Sequence, residues 1–323
     1  AKHLTRAGVN VRMHPEFAPQ PGSKEWEILD EEEKEIYAKP FENHRIGISG
    51  TTPFEFHRNK SEIKIAQTMA ESDKLGESWV KACNGMHHIL VPNEFYARVF
   101  KESGVTAPIT VLYNGVDVDR FPYYERPKRD TFTFGICGYL NERKGVYEVL
   151  KAFASEFAPN EPVRLKLHTS NHYFRYYKNF TDNRISLSHE YKSYEEMNEY
   201  YKSLDCFVFP SKAEGIGYPP REAISTCLPV FLTYFSGLSD IADPGISYPI
   251  KPSKLVPRKD MVEQPGNWAE IDVQELMYWM RYVYENRREA KTVGMNASSC
   301  MKFVYSWKTC TEELIKFLKQ YER

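Results

Sequence analysis

The stretch from Asp205 to Asp240, DCFVFPSKAEGIGYPPREAISTCLPVFLTYFSGLSD, constrains the chain more than any other. Cys206 to Phe209 is a short apolar run bounded by Asp205 and Pro210, the pattern of a buried parallel strand. A loop with Gly215 and Gly217 follows. Pro219-Pro220 then presets φ for a helix start, and Arg221 to Cys227 carry the helix until Pro229 stops it. Pro229 to Thr233 reads as the next strand. The spacing predicts a strand–loop–helix–strand unit whose loop lies between the carboxyl end of a strand and the amino end of a helix. Open α/β sheets bind ligands there, because free backbone N–H groups and the helix dipole both favour an anion.

Glu214 and Glu222 bracket this loop with seven residues between them. A carboxylate inside an anion-binding loop makes sense if it accepts hydrogen bonds from hydroxyls beside a phosphate. A phosphorylated sugar or a nucleotide offers both groups. The bland alternative is a dipole-favoured Glu at a helix start plus a solvated loop Glu. The surrounding Gly-x-Gly, Pro-Pro, Pro210-Ser211 and Ser236-Gly237 favour the functional reading.

Pro210-Ser211-x-x-Glu214-Gly215-Ile216-Gly217-Tyr218-Pro219-x-x-Glu222-Ala223 resembles the E-x7-E signature of retaining family 4 (group 1) glycosyltransferases. The resemblance extends over most of the chain from about Ile46. Thr68 to Leu75, Trp79-Val80, Asn84 and Val91-Pro92-Asn93-Glu94-Phe95 look like the first domain of that family. Asn114-Gly115-Val116-Asp117 with Phe121 looks like the turn that ends it. The resemblance implies the GT-B fold, two Rossmann-like α/β domains facing each other across a cleft. The expected division is residues 1–126, 127–304 and a helix at 305–323 that crosses back to the first domain.

With 323 residues, two domains are the natural expectation. A hydrophobic fraction of 41% and a charged fraction of 27% are ordinary for a globular chain. A net charge of −1 gives no basic field for nucleic acid or an anionic membrane. No apolar run approaches the roughly 20 residues that span a bilayer, and no signal peptide is visible. The six cysteines are dispersed, several within apolar runs, as in a reduced cytoplasmic protein.

At the start, Ala1 to Ala7 reads as a helix end, Gly8 as its cap and Val9 to Met13 as a strand. A Rossmann-like half normally begins one strand earlier with a Gly-rich turn, so this domain is expected to lack its first strand. Residues 15–43 are acidic and Pro-rich, a solvated helix and loops. Strands are expected at Arg45–Ser49, Ile63–Gln67, His88–Val91 and Ile109–Leu112, with helices at Trp79–Cys83 and Glu94–Ser103. His87-His88 precede an apolar strand and read as structural. Phe121 to Asp130 is polar and Pro-interrupted, an interdomain linker.

The second domain opens with a strand, Thr131 to Cys137, a turn from Gly138 and a helix, Val146 to Phe157. Arg143 and Lys144 therefore sit at the mouth of a strand-to-helix loop, a placement that suits a diphosphate, although a solvated basic pair is the commoner fate of Arg-Lys. The family pattern is Gly-Arg, a spacer, then Lys-Gly. Here Tyr139 follows Gly138, while Lys144-Gly145 matches, so Arg143 is the candidate substitute cation. Val163–His168 and Ile185–Ser188 read as strands and Tyr194–Leu204 as a helix. The aromatic and basic stretch at 170–180 suits either stacking on a base or sugar, or an exposed loop. Ile246–Ile250 is expected as a strand, 251–268 as Pro-rich loop, and Asp272–Asn286 as a helix packed through Leu276, Met277, Met280, Val283 and Tyr284.

The resemblance implies transfer of a sugar from a nucleoside diphosphate sugar to an acceptor hydroxyl, with retention. Glu214, Lys144 and Arg143 would serve the chemistry. Gly138, Gly215, Ile216, Gly217, Tyr218 and Glu222 would frame the donor, Glu222 on the ribose. Both acids are expected to line a wet cleft, and a histidine of the first domain, His44 or His57, is a candidate to face the donor. No metal-ligand spacing is present, so neither a metal nor another cofactor is expected. The acceptor stays open among saccharide, lipid and small molecule. Two other readings stay open: a GT-B epimerase or phosphorylase, and a degenerate nucleotide- or sugar-binding protein.

Overall fold

The computed structural model describes residues 1–13, 19–40, 44–169, 181–259 and 264–321. Helices α1 (Lys2–Arg6), α2 (Lys24–Glu27) and α3 (Glu31–Ala38) come first. Asp30 caps α3 reciprocally with Glu33, so three acids fill a first turn where the dipole favours them. Strands β1 (Ile46–Ser49) and β2 (Ile63–Gln67) follow, then α4 (Glu77–Asn84), β3 (His88–Val91), α5 (Glu94–Glu102) and β4 (Ile109–Val111). These strands form one parallel sheet in the order β1-β2-β3-β4. The helices bury one face each, Trp79 and Cys83 on α4, and Tyr96, Val99 and Phe100 on α5, at three- and four-residue spacing.

The second sheet is built from β5 (Phe132–Cys137), α6 (Val146–Glu156), β6 (Val163–His168), β7 (Ile185–Ser188), α7 (Tyr194–Lys202), β8 (Cys206–Phe209), α8 (Tyr218–Ser225), β9 (Val230–Thr233) and β10 (Tyr248–Ile250). Its order is β10-β9-β8-β5-β6-β7, and every pairing is parallel. The chain winds outward through β6 and β7, returns to the far side of β5, and winds outward again through β9 and β10. This is the doubly wound arrangement, with its switch point between β5 and β8. Both of those strands are buried along their whole length, as their unbroken apolar runs require. The hairpin β11 (Lys254–Pro257) and β12 (Asn267–Glu270) and the helices α9 (Val273–Glu285), α10 (Arg287–Phe303) and α11 (Trp307–Leu318) complete the fold.

Three expectations need correction. Val9 to Met13 forms no strand: Gly8 at φ 83° turns the chain back, and the Val9 amide bonds to Leu4 O at 3.0 Å, closing α1. Residues 254–257 and 267–270 pair antiparallel, although 251–268 was expected as loop. Helix α10 was not anticipated. Its packed face is Ala290, Gly294, Ala297, Ser298 and Met301, mostly small residues that let it approach α8 closely but leave a weak apolar pattern. A Cβ on Gly294 would lie 2.6 Å from Cys227 O.

Candidate active site

Two loops leave the sheet at the switch point. After β5, Gly138 (φ 123°) starts the first, and a single 3-10 turn, Glu142–Lys144, ends it. Asn141 caps that turn by accepting from Lys144 N at 3.2 Å. Gly145, at φ 67°, is both the end of the turn and the start of α6. A Cβ there would stand 2.2 Å from Pro210 O, so Gly145 lets the first loop lie directly on the second. Lys212 N donates to Arg143 O at 2.7 Å across the same contact. The second loop, from Pro210, enters α8 through Gly217 at φ 74°.

The two loops bring Arg143, Lys144 and Glu214 together. Glu214 Oε1 receives Lys144 Nζ at 2.5 Å, Ser211 Oγ at 2.5 Å and Arg143 at 3.2 Å. The other end of the Arg143 guanidinium contacts Glu71 Oε1 at 3.1 Å. Glu214 is only 5% exposed and Lys144 7%, so the expectation of a carboxylate in a wet cleft is corrected for Glu214. Burying a carboxylate is costly unless cations and donors surround it. Here two hydrogen-bond donors, Lys144 and Ser211, and the Arg143 guanidinium as an ion-pair partner converge on one oxygen, while Arg143 Nη1 donates to Ala213 O. The Glu214 backbone is fixed as well: its amide donates to Ser236 Oγ at 2.8 Å, and its carbonyl accepts from Gly237 N at 2.9 Å. Ser236 sits at φ 55°, an uncommon conformation for a residue with a Cβ.

The first sheet meets this loop through the carboxyl ends of its own strands. Asn93, at the start of α5, donates from Nδ2 to Ser236 O at 3.0 Å, and the Tyr96 hydroxyl lies against both Ala70 O and Glu214 O. Glu71 belongs to the loop after β2, and its main-chain carbonyl accepts from Trp268 Nε1 at 3.3 Å. Burial pushes the Glu71 carboxyl above its ordinary range, while Arg143 pulls the other way. Its significance is not legible in the sequence beyond its position just past the carboxyl end of a parallel strand.

Glu222 stands apart from the charged group. It is partly buried on α8, and its Oε2 accepts from the Tyr201 hydroxyl at 2.8 Å. Burial raises its pKa above the usual carboxylate range. Between the two acids, Arg221 is fully buried and binds both oxygens of Asp240, at 2.8 and 2.9 Å. It also donates to Ile216 O and Gly237 O, tying the glycine loop to the Ser236-Gly237 turn. Gly215 packs so close to Met69 that a Cβ would lie 2.7 Å from its Cγ. Tyr218 is partly exposed, and its hydroxyl accepts from Asn114 Nδ2 at 3.5 Å. Tyr139 is about half exposed beyond Gly138.

Neither candidate histidine joins the group. His44 precedes β1, at the amino end of a strand whose sheet meets the site with its carboxyl ends. His57 is exposed on the 3-10 turn Pro53–Arg58, its Nδ1 2.8 Å from Phe54 O. The aromatic stretch at 170–180 lies outside the described residues. A cavity of about 820 Å³ runs along the seam between the sheets, lined by Asn93, Phe95, Tyr113, Tyr234 and Asp240. Neither Lys144 nor Glu214 lines it. All six cysteines are free, and no helix among the described residues is long and apolar enough to cross a membrane.

Residues 122–254 match the family model described as Glycosyl transferases group 1, which covers β5 through β10 and both site loops. No curated protein sequence matches the chain. Among solved structures, sucrose-phosphate synthase from Thermosynechococcus elongatus is similar with a TM-score of 0.69 at 12% identity, over 86% of this chain and 74% of that one. HepE from Anabaena, solved in complex with UDP-glucose, has a TM-score of 0.67 at 14% identity, over 85% of this chain and 79% of its own. The α,α-trehalose 6-phosphate synthase from Burkholderia multivorans has a TM-score of 0.63 at 10% identity, over 86% of this chain and 71% of that one. Identities this low speak for the fold, and the fold is GT-B. Together with the matched domain it defines the class: a glycosyltransferase built on two facing α/β sheets.

Proposed function

We propose that the chain transfers a sugar from a nucleoside diphosphate sugar to an acceptor hydroxyl, with retention and without a metal, in the manner of family 4 enzymes. The observation that carries this reading is the Lys144–Arg143–Glu214 group at the switch point of the second sheet, where the starts of α6 and α8 also converge. Residues 127–304 hold the donor and residues 1–126 the acceptor in this reading. Lys144 and Arg143 neutralise the charge that develops on the leaving diphosphate, a task that positioned cations and helix amides perform together. The incoming diphosphate exchanges with Glu214 for Lys144, and Glu214 turns to the hydroxyls of the transferred sugar. Gly138, Gly215, Ile216, Gly217 and Tyr218 frame the donor, and Glu222 accepts from the ribose hydroxyls beside Tyr201.

A uridine nucleotide is the first donor to test, since HepE was solved with UDP-glucose. A reducing compartment such as the cytoplasm belongs to this reading, and the free cysteines support it. Titration calorimetry with UDP, GDP and ADP, all in EDTA, is the direct test. One of the three binds in the micromolar range, and the matching glucose nucleotide turns over in EDTA with the product anomer unchanged. Failure of all three to bind overturns the reading, and turnover restored only by Mg²⁺ or Mn²⁺ overturns its metal-free form.

A further inference from the structure

The charged group contains one acid that donor binding leaves without a task. Glu71 and Glu214 share the Arg143 guanidinium, one at each end. The side chains of Arg143, Lys144 and Glu214 are 14%, 9% and 7% exposed, whereas that of Glu71 is 40% exposed. Glu71 is thus the open member of the group, and it arrives from the opposite sheet, on the loop after β2. That loop does not depend on Arg143 for its shape. Trp268 Nε1 holds the Glu71 carbonyl, Asp73 accepts from Asn267 N at 2.7 Å, and the Tyr96 hydroxyl holds Ala70 O.

Without donor, two cations face two carboxylates. A diphosphate adds about two negative charges to the same cations, and the cations cannot serve both. With Glu214 turned to the donor sugar, Glu71 is the acid left to turn outward, because its side chain is the exposed one.

We propose that Glu71 receives the acceptor: released from Arg143 by the donor diphosphate, its carboxylate accepts the hydrogen bond of the attacking hydroxyl and takes its proton. The assignment rests on the glycosyl-transfer reading above. The bond from the anomeric carbon to the diphosphate breaks, and its electron pair leaves on the nucleoside diphosphate. The acceptor oxygen forms the new bond to that carbon, and the hydroxyl proton passes to Glu71 and then to water. The sum is nucleoside diphosphate, glycoside and one proton. Attack from beside Arg143, which faces the leaving group, places the acceptor on the diphosphate side of the sugar and agrees with retention.

The groups that face Glu71 are Arg143, Lys144 and Arg258, which favour its charge, and Glu214, which opposes it. Burial outweighs the cations, and the donor's own charge adds to that push. The acid limb of turnover therefore lies above the ordinary carboxylate range, and activity is lost as pH falls through it.

The test uses the whole chain with UDP, GDP or ADP for binding, and the glucose nucleotide of whichever binds, with water as acceptor, for turnover. In Glu71→Gln, nucleotide Kd stays within about threefold, kcat falls at least 100-fold, and the acid limb disappears, within the range for loss of a general base. Glu71→Asp, which keeps the charge and shortens the reach, lowers kcat about tenfold and keeps the limb. If Glu71→Gln fails to fold, Glu71→Asp decides, and an unchanged kcat there overturns the assignment. Wild-type turnover or an unmoved limb in Glu71→Gln overturns the assignment while leaving glycosyl transfer intact. Absence of nucleotide binding in the unaltered chain overturns both.

Discussion

At the scale of single residues, the site is a problem in pairing buried charge, and the two partners of its shortest ion pair are not equivalent. Removing Lys144 leaves Glu214 with the Ser211 hydrogen bond and the Arg143 ion pair still in place. Lys144→Ala therefore keeps the fold close to its normal stability. It weakens UDP binding by about 2 kcal/mol, the scale of a hydrogen bond to a charged group, and leaves uridine binding unchanged. Calorimetry with both ligands checks this, and equal losses for the two would remove Lys144 from the diphosphate. Removing the charge of Glu214 is harsher, since it leaves the Lys144 ammonium buried without an anion. Breaking a buried pair from one side costs on the order of 3–5 kcal/mol. Glu214→Gln is expected to melt several degrees below Lys144→Ala and to lower kcat while nucleotide affinity changes little. A Glu214→Gln enzyme that melts low yet turns over normally would make Glu214 a structural acid.

At the scale of elements, the unit from β8 through α8 to β9 was legible because each boundary carries its own punctuation: Pro210, the two loop glycines, the Pro pair and Pro229. The same holds for β5, whose apolar run is followed by Gly138 and the Lys144-Gly145 pair. What escaped was whatever depends on a distant partner. Val9 to Met13 has the composition of a strand, yet a strand forms only where another strand offers its edge. The hairpin of β11 and β12 spans a Pro-rich stretch that argued against pairing, and Pro257 lies at the end of its strand, where a missing amide costs least. Glu71 and Arg221 look like any exposed acid or helix Arg until the fold brings Arg143 to the one and Asp240 to the other. The loop contact at Gly145 gives this scale its prediction. Gly145→Ala requires a side chain at φ 67° with its Cβ against Pro210 O. The left-handed conformation alone costs about 1–2 kcal/mol, and the carbonyl must also move. The variant is expected to melt lower and to lose UDP affinity through displacement of Lys144. Unchanged affinity would show that the Glu142–Lys144 turn is held without that contact.

At the scale of the whole molecule, the chain closes on itself. Helix α11 carries Leu314, Phe317 and Leu318 onto Ile63, Ile65, Leu90 and Leu112 of the first sheet, far from the second sheet it follows in sequence. His88 on β3 lies at the centre of that contact. Its ring meets Phe317 edge-on at 4.7 Å, its Nδ1 lies 3.0 Å from the Tyr321 hydroxyl, and its Nε2 lies 2.8 Å from Thr110 Oγ1. Burial holds its pKa below the ordinary value of 6.5 and so favours the neutral ring in the docked state. In the unfolded chain the same imidazole titrates near 6.5 and binds the proton more readily than in the fold. Stability contributed by the neutral ring is therefore complete above that pH. It is lost as pH falls from 6.5 towards the lowered folded value, at up to about 1.4 kcal/mol per pH unit. His88→Gln keeps a polar side chain but removes the titration. Melting temperatures of both proteins from pH 8 to pH 5 make the comparison, and other acid-sensitive groups, His3 and His168 among them, cancel in the difference. The unaltered protein is expected to be the more stable at pH 8, and its advantage to shrink as the pH approaches 5. A constant difference across that range would mean that His88 joins α11 to the first sheet through packing alone.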